Sequence, residues 1–251
     1  MKYLIDMRVY ANCYELMSEI FREVWEMGHV CKPFSYQNKV VSGDPEFETK
    51  EVTNYSYCLL NMHKSEYLFL TDHTSISWVE KEFKERVNPI RVNPGRAWEI
   101  RPHVWRTFLN EEGKFDYTYN ERMRGQLSNT ISELVFHPDT RQAIISIWDP
   151  NIDPKRLGGK KRIPCSLNYQ FLYRNGKLHI IYNQRSADVV THFGNDVYLA
   201  WLLLEHVAKL TMYKRGYLFH NIGSLHTYKK DWPKLKQCID DIKSLNIDIR
   251  L

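Results

Sequence analysis

The chain has 251 residues, 26% of them charged and 43% hydrophobic, with a formal net charge of +5. That length and balance suit one unit over residues 1–251 with a large core, and they exclude a disordered or low-complexity chain. Apolar runs stop short of the roughly 18 residues a membrane span needs, and Asp6 and Arg8 interrupt any signal-peptide pattern, so a cytoplasmic protein without membrane contact is expected.

Residues 12–30 carry Leu16, Met17, Ile20, Phe21 and Val24 at helical spacing, with Gly28 near the end, which predicts an amphipathic helix. Residues 72–86 read as a second helix capped by Asp72 or Thr74. A third spans 120–140, its inward stripe made by Leu127, Ile131 and Leu134 before a His-Pro stop. Residues 141–150, largely apolar and ended by Asp-Pro, suit a short buried strand. Residues 166–174 and 177–186 then form two strands around an Asn175-Gly176 turn. An apolar helix starting at Asn195 or Asp196, a strand over 215–228 and a last helix with Asp231 as cap and Pro233 in its first turn complete the chain. Strands and helices mix without βαβ alternation, so the class is α+β.

Few residues advertise chemistry. Cys165 follows Pro164 and lies near Lys160, Lys161 and Arg162, and positive neighbours raise the thiolate fraction of a cysteine. Arg185 and Ser186 offer a donor fork and a hydroxyl, a grip for an anion. His226 and Tyr228, two apart on a strand, project to one side. The basic run at Gly158–Arg162 reads as a solvated loop, and no nucleic-acid contact is expected. Cys13, Cys31, Cys58, Cys165 and Cys238 are scattered and form no C-x-x-C, which argues against a disulfide framework or a metal site.

The order and wording of "HPDTRQAIISIWDP", "IPCSLNYQF", "QRSADVV…ND" and "GSLHTY" resemble the thymidylate synthases and their phage-type deoxypyrimidine-monophosphate hydroxymethylase relatives, from about Tyr117 to Tyr228. The resemblance implies a large mixed sheet packed with helices, a sheet-to-sheet homodimer with shared active sites, and 5,10-methylenetetrahydrofolate as cosubstrate. It casts Cys165 as the nucleophile that adds to C6 of the pyrimidine, Tyr119 as a tyrosine beside it, and Glu82 as the proton-managing carboxylate, with Glu80 the competitor. Arg185 and Ser186 match phosphate binders, Arg141 an arginine that reaches the phosphate of the neighbouring subunit, and His226 and Tyr228 the pair on the sugar 3′-hydroxyl. Asp188 matches the aspartate on the pterin ring, and Trp105 is placed on the cofactor side.

Asp196 falls where the synthases use asparagine to read uracil and where deoxycytidylate hydroxymethylases use aspartate. A carboxylate accepts from the cytosine 4-amino group and opposes uracil O4, so the leading expectation is dCMP 5-hydroxymethylase. Asp196 as a mere helix cap, or Asn195 reading uracil after a one-residue shift, stays open. So do dUMP hydroxymethylation, thymidylate synthesis, dCMP methylation and a protein kept only for binding. Departures are Gln142 in place of a second arginine, Ser166 in place of the histidine after the nucleophile, and a C-terminal "LNIDIRL". Such an enzyme suits a phage that modifies its DNA precursors, which would put it in the host cytoplasm.

Overall fold

The computed structural model describes residues 7–64 and 75–244. β1 (Arg8–Tyr10) leads into α1 (Cys13–Met27), whose Asn12 cap accepts from the Glu15 amide and whose buried face is the expected one. β2 (His29–Cys31), the small hairpin β3 (Ser35–Tyr36) and β4 (Lys39–Val40), and the long β5 (Thr49–Leu59) follow. No element is expected from sequence over this stretch, although Tyr55, Tyr57 and Leu59 alternate as a half-buried strand should. Asn54, at φ 55, interrupts the alternation just before them and hides it.

α2 (Ile76–Arg86) is capped by Ser75, whose hydroxyl accepts from the Trp78 amide; the expected caps Asp72 and Thr74 lie outside the described residues. The short α3 (Pro102–Trp105) precedes α4 (Tyr119–Phe136), which opens on a capping box between Thr118 and Glu121. β6 (Ile144–Ser146) is shorter than expected and only half buried, because it is the edge strand. β7 (Ser166–Arg174) and β8 (Lys177–Asp188) form the expected hairpin, with Asn175 and Gly176 at φ 51 and 72 as a two-residue turn requires. α5 (Phe193–Thr211) begins before Asn195 and is buried nearly all round. β9 (Lys214–Tyr228) and α6 (Trp232–Ser244) close the described chain.

The main sheet runs β1-β5-β9-β8-β7-β6, with β2 also on β5. β8 and β9 are parallel and the β5–β9 and β7–β8 pairs antiparallel, so the expected α+β class with a mixed sheet is what forms. Period two puts Leu178, Ile180, Tyr182 and Gln184 of β8 on the buried face under α5, beside Leu218, His220 and Ile222 of β9. The other face carries Ile181, Asn183, Tyr217 and Phe219, each partly exposed.

Candidate active site

A cavity of about 800 Å³ opens where the segment entering β7, the ends of β8 and β9, α2 and the β3–β4 hairpin converge. Small-molecule sites span roughly 300–1,000 Å³, so this one has room for a nucleotide and a second planar ligand. Cys165, Arg185, Ser186, Asp188, Asp196, His226, Tyr228, Glu82, Trp105 and Tyr119 all line it, although they come from widely separated parts of the chain.

The hairpin sets the centre. Counted from the Asn-Gly turn, Arg174 pairs with Lys177 and Asn168 with Asn183, but an irregularity between Ser166 and Asn168 shifts the register so that Ser166 pairs with Gln184. Cys165 therefore faces Arg185: the Arg185 amide donates to the Cys165 carbonyl at 2.8 Å, and Arg185 Nε to the Pro164 carbonyl at 2.9 Å. Nη2 of Arg185 points at Cys165 Sγ at 3.8 Å. A second donor comes from a residue the sequence reading missed, Gln37 at φ 51 in the β3–β4 turn, whose Nε2 lies 3.7 Å from the same sulfur. Two N–H groups aimed at one sulfur suit an anionic nucleophile.

Ser166 turns away from the cavity centre. Its hydroxyl meets those of Tyr119 at 3.0 Å and Tyr182 at 2.6 Å, so Tyr119 is tied to the residue after Cys165. The Arg86 guanidinium lies 3.7 Å above the Tyr119 ring and donates to Glu82 at 2.8 Å. Glu80 instead pairs with Lys64 and does not line the cavity. Of the two competing carboxylates, Glu82 is the one turned inward. Arg86 carries no functional motif in sequence; its four-residue spacing from Glu82 is the only signal.

Asp196 sits in the first turn of α5 and does not cap it, since the helix starts after His192. Its Oδ2 accepts from Gln184 Nε2 at 2.7 Å and its Oδ1 lies 3.5 Å from His192 Nε2. Burial pushes its pKa up to about 6, against the opposing pull of Arg86 and the Gln184 hydrogen bond. Burial, with Arg101, Arg86 and Arg162 nearby, drives the His192 pKa well down, so His192 is neutral. Asn195 does not line the cavity; its Oδ1 accepts from the Ser75 amide at 3.4 Å.

The remaining expected residues divide. His226 and Tyr228 meet edge to face with centroids 5.1 Å apart, His226 Nδ1 lying 3.2 Å from Ser224 Oγ. Asp188 accepts from the Val190 and Thr191 amides at 3.2 and 3.4 Å, and from the Thr191 hydroxyl. Trp105 stacks on Trp78 at 5.4 Å and 11°, an aromatic slab in the cavity wall. Arg141 and Gln142 are exposed and outside the cavity wall. The solvated-loop expectation holds for Lys160 and Lys161 but not for Arg162, which is buried with its guanidinium 4.7 Å from the Trp105 ring centroid and 4.9 Å from that of Tyr117. Four aromatic neighbours remote in sequence, Trp105, Phe108, Phe115 and Tyr117, draw it inward.

A hairpin that sets a cysteine against an arginine, under a buried carboxyl and beside an aromatic slab, describes a nucleotide-sized pocket built around a thiol. The thymidylate synthase family model matches residues 69–248, and the chain belongs to that family. A putative thymidylate synthase of Methanosarcina barkeri (strain Fusaro / DSM 804) is 30% identical over 134 residues, 51% of this chain and 60% of that relative, so the match spans less than two thirds of its length. The thermostable thymidylate synthase A of Bacillus subtilis superposes with a TM-score of 0.71 at 20% identity, covering 92% of this chain and 84% of that one, and so shares the fold.

Proposed function

We propose that the protein is a folate-dependent one-carbon transferase that hydroxymethylates C5 of dCMP. The observation that carries the base choice is the buried Asp196 carboxyl facing the cavity beside Cys165 and Arg185. Cys165 Sγ adds to C6 of the pyrimidine, and the ring electrons displaced by that bond make C5 nucleophilic. Arg185, already anchored on Pro164 and aimed at the sulfur, grips the phosphate together with Ser186. His226 and Tyr228 hold the sugar. Glu82, fixed by Arg86, takes and returns protons through water.

Methylenetetrahydrofolate fits the space beside the nucleotide: the Trp78–Trp105 slab offers a stacking face, Asp188 a polar anchor, and Trp105 Nε1 is a buried donor without an acceptor. When bound, it supplies the one-carbon unit, which water completes to hydroxymethyl. Methylation of dUMP is the second reading, and the name of the Methanosarcina relative favours it. Tritium release from 5-tritiated dCMP and dUMP, each with methylenetetrahydrofolate, followed by mass spectrometry of the product, separates the two. Release from dCMP with a hydroxymethyl product is expected, and release from dUMP alone would replace this reading by the second.

The active unit in this reading is a homodimer joined through the sheet face that carries Ile181, Tyr217 and Phe219, with Arg141 completing the phosphate site of its partner. Arg141→Ala and Cys165→Ala are each expected to be inactive alone. Mixed after reversible dissociation, they should recover about a quarter of wild-type activity, because half of the dimers then hold one intact site of two. Mixtures that stay inactive while hybrid dimers form would place Arg141 in its own subunit's chemistry, and Arg141→Ala active on its own would remove it from the site.

A further inference from the structure

We propose that Tyr57, His220 and Gln184 form a hydrogen-bond chain of fixed polarity that keeps Oδ2 of Asp196 an acceptor and directs any proton on that carboxyl to Oδ1. The three are positioning residues, and their bearing on base choice rests on the reading of Asp196 given above. Sheet register builds the chain: Tyr57 of β5 pairs with His220 of β9, which pairs in turn with Tyr182 of β8, two residues before Gln184. The Tyr57 hydroxyl lies 2.9 Å from His220 Nδ1, His220 Nε2 3.0 Å from Gln184 Oε1, and Gln184 Nε2 2.7 Å from Asp196 Oδ2.

Polarity follows from what each atom is able to do. A carbonyl oxygen only accepts, so His220 Nε2 carries the hydrogen that meets Gln184 Oε1. Burial pushes the His220 pKa down to about 3, so the ring is neutral and its other nitrogen is an acceptor. Tyr57 must then donate to it. The His220 ring is stacked on Tyr182, with centroids 4.3 Å apart and planes at 14°. Tyr57, His220 and Gln184 are 1%, 0% and 2% exposed, so water does not reset the chain.

The surroundings of Asp196 leave Oδ1 for the proton. Arg86 of α2 favours the charged carboxylate, while Glu82 of α2 and Asp188 of β8 oppose it. Tyr57, Tyr119, Tyr169, Tyr182 and neutral His220 complete the titratable groups facing it from the sheet and from α4. On the Oδ1 side stands His192, neutral and able to accept. Reversing the chain would require Asp196 to be protonated on Oδ2 and would turn the Tyr57 proton away from His220. With the observed polarity, one carboxyl oxygen accepts and the other, once protonated, donates, which complements the 4-amino group and N3 of cytosine.

The test titrates the Asp196 carboxyl by carbon NMR in ligand-free protein labelled at aspartate, with Asp196→Asn identifying the resonance. Tyr57→Phe removes the first donor, and His220→Phe keeps a flat ring but frees Gln184 to turn its carbonyl toward Asp196. Both should raise the midpoint by about one to two pH units, the worth of one hydrogen bond to a charged group. In both variants the dCMP-to-dUMP ratio of kcat/KM should also change. A merely structural role would lower the melting temperature and leave the midpoint in place. Either variant, folded by its melting curve, with an unmoved midpoint would overturn the chain. Because that titration needs no nucleotide, its failure is distinct from failure of the dCMP reading, which the preference of Asp196→Asn tests.

Discussion

Cys165→Ala is expected to abolish tritium release from 5-tritiated dCMP, by roughly 10⁴-fold or more, while dCMP binding stays within about tenfold of wild type. C5 of a pyrimidine is a poor nucleophile until C6 has taken an electron pair, and alanine has none to give. The rest of the site should survive. Arg185 keeps its 2.9 Å hydrogen bond to Pro164, and Cys165 is half-buried, so truncation leaves no buried charge stranded. Such a substitution costs on the order of 0.5–1 kcal/mol of stability, too little to unfold a domain. Cys31 also lines the cavity and is the internal rival. Burial and the neighbouring Glu51 raise its pKa, which keeps it a thiol, so Cys31→Ala should retain release. Calorimetry of dCMP binding beside the release assay separates loss of chemistry from loss of the site. Release that survives in Cys165→Ala and disappears in Cys31→Ala would move the nucleophile.

The hairpin was legible because both of its determinants are local: an Asn-Gly turn and runs rich in Tyr, Phe, Leu and Ile on either side. Counting back from Arg174 and Lys177 brings residue 165 close to residue 185, and only the irregularity near Leu167 decides that Cys165 meets Arg185 rather than Ser186. The helix after it starts two or three residues before the Asn195 or Asp196 that its sequence suggests. Phe193 and Gly194 are not capping residues, and tertiary burial begins the helix at Phe193, which carries Asp196 into the first turn where Gln184 reaches it. Contacts made over long sequence distances left no mark. Gln37 reaches Cys165 across 128 residues. Arg162 reads as one more charge in a basic run, and only the folded arrangement of Trp105, Phe115 and Tyr117 makes it a buried wall of the cavity. Motif order brought the principal residues together on paper, whereas the partners that orient them required the sheet register.

Asp196→Asn is expected to turn the preference from dCMP toward dUMP, shifting the ratio of kcat/KM values by about tenfold to a hundredfold. In the native site Gln184 Nε2 already donates to Oδ2, so that oxygen has one lone pair left, and it suits the cytosine 4-amino group. An asparagine that reads uracil sets its NH₂ group at the Oδ2 position, with Gln184 turned so that its carbonyl accepts from it and His220 in its other neutral tautomer. That NH₂ opposes the amino group of cytosine donor against donor, and it matches O4 of uracil. The mismatch arises inside a buried site, since Asp196 is 7% exposed, so water cannot relieve it. The substitution removes a carboxyl that burial holds near pKa 6, so it should not cost folding stability at neutral pH. A changed ratio therefore reports recognition rather than damage. An unchanged ratio in a folded, active variant would remove Asp196 from base reading, and since Asn195 faces Ser75 instead of the cavity, the base reader would then have to be sought among Gln37, His192 and Arg162.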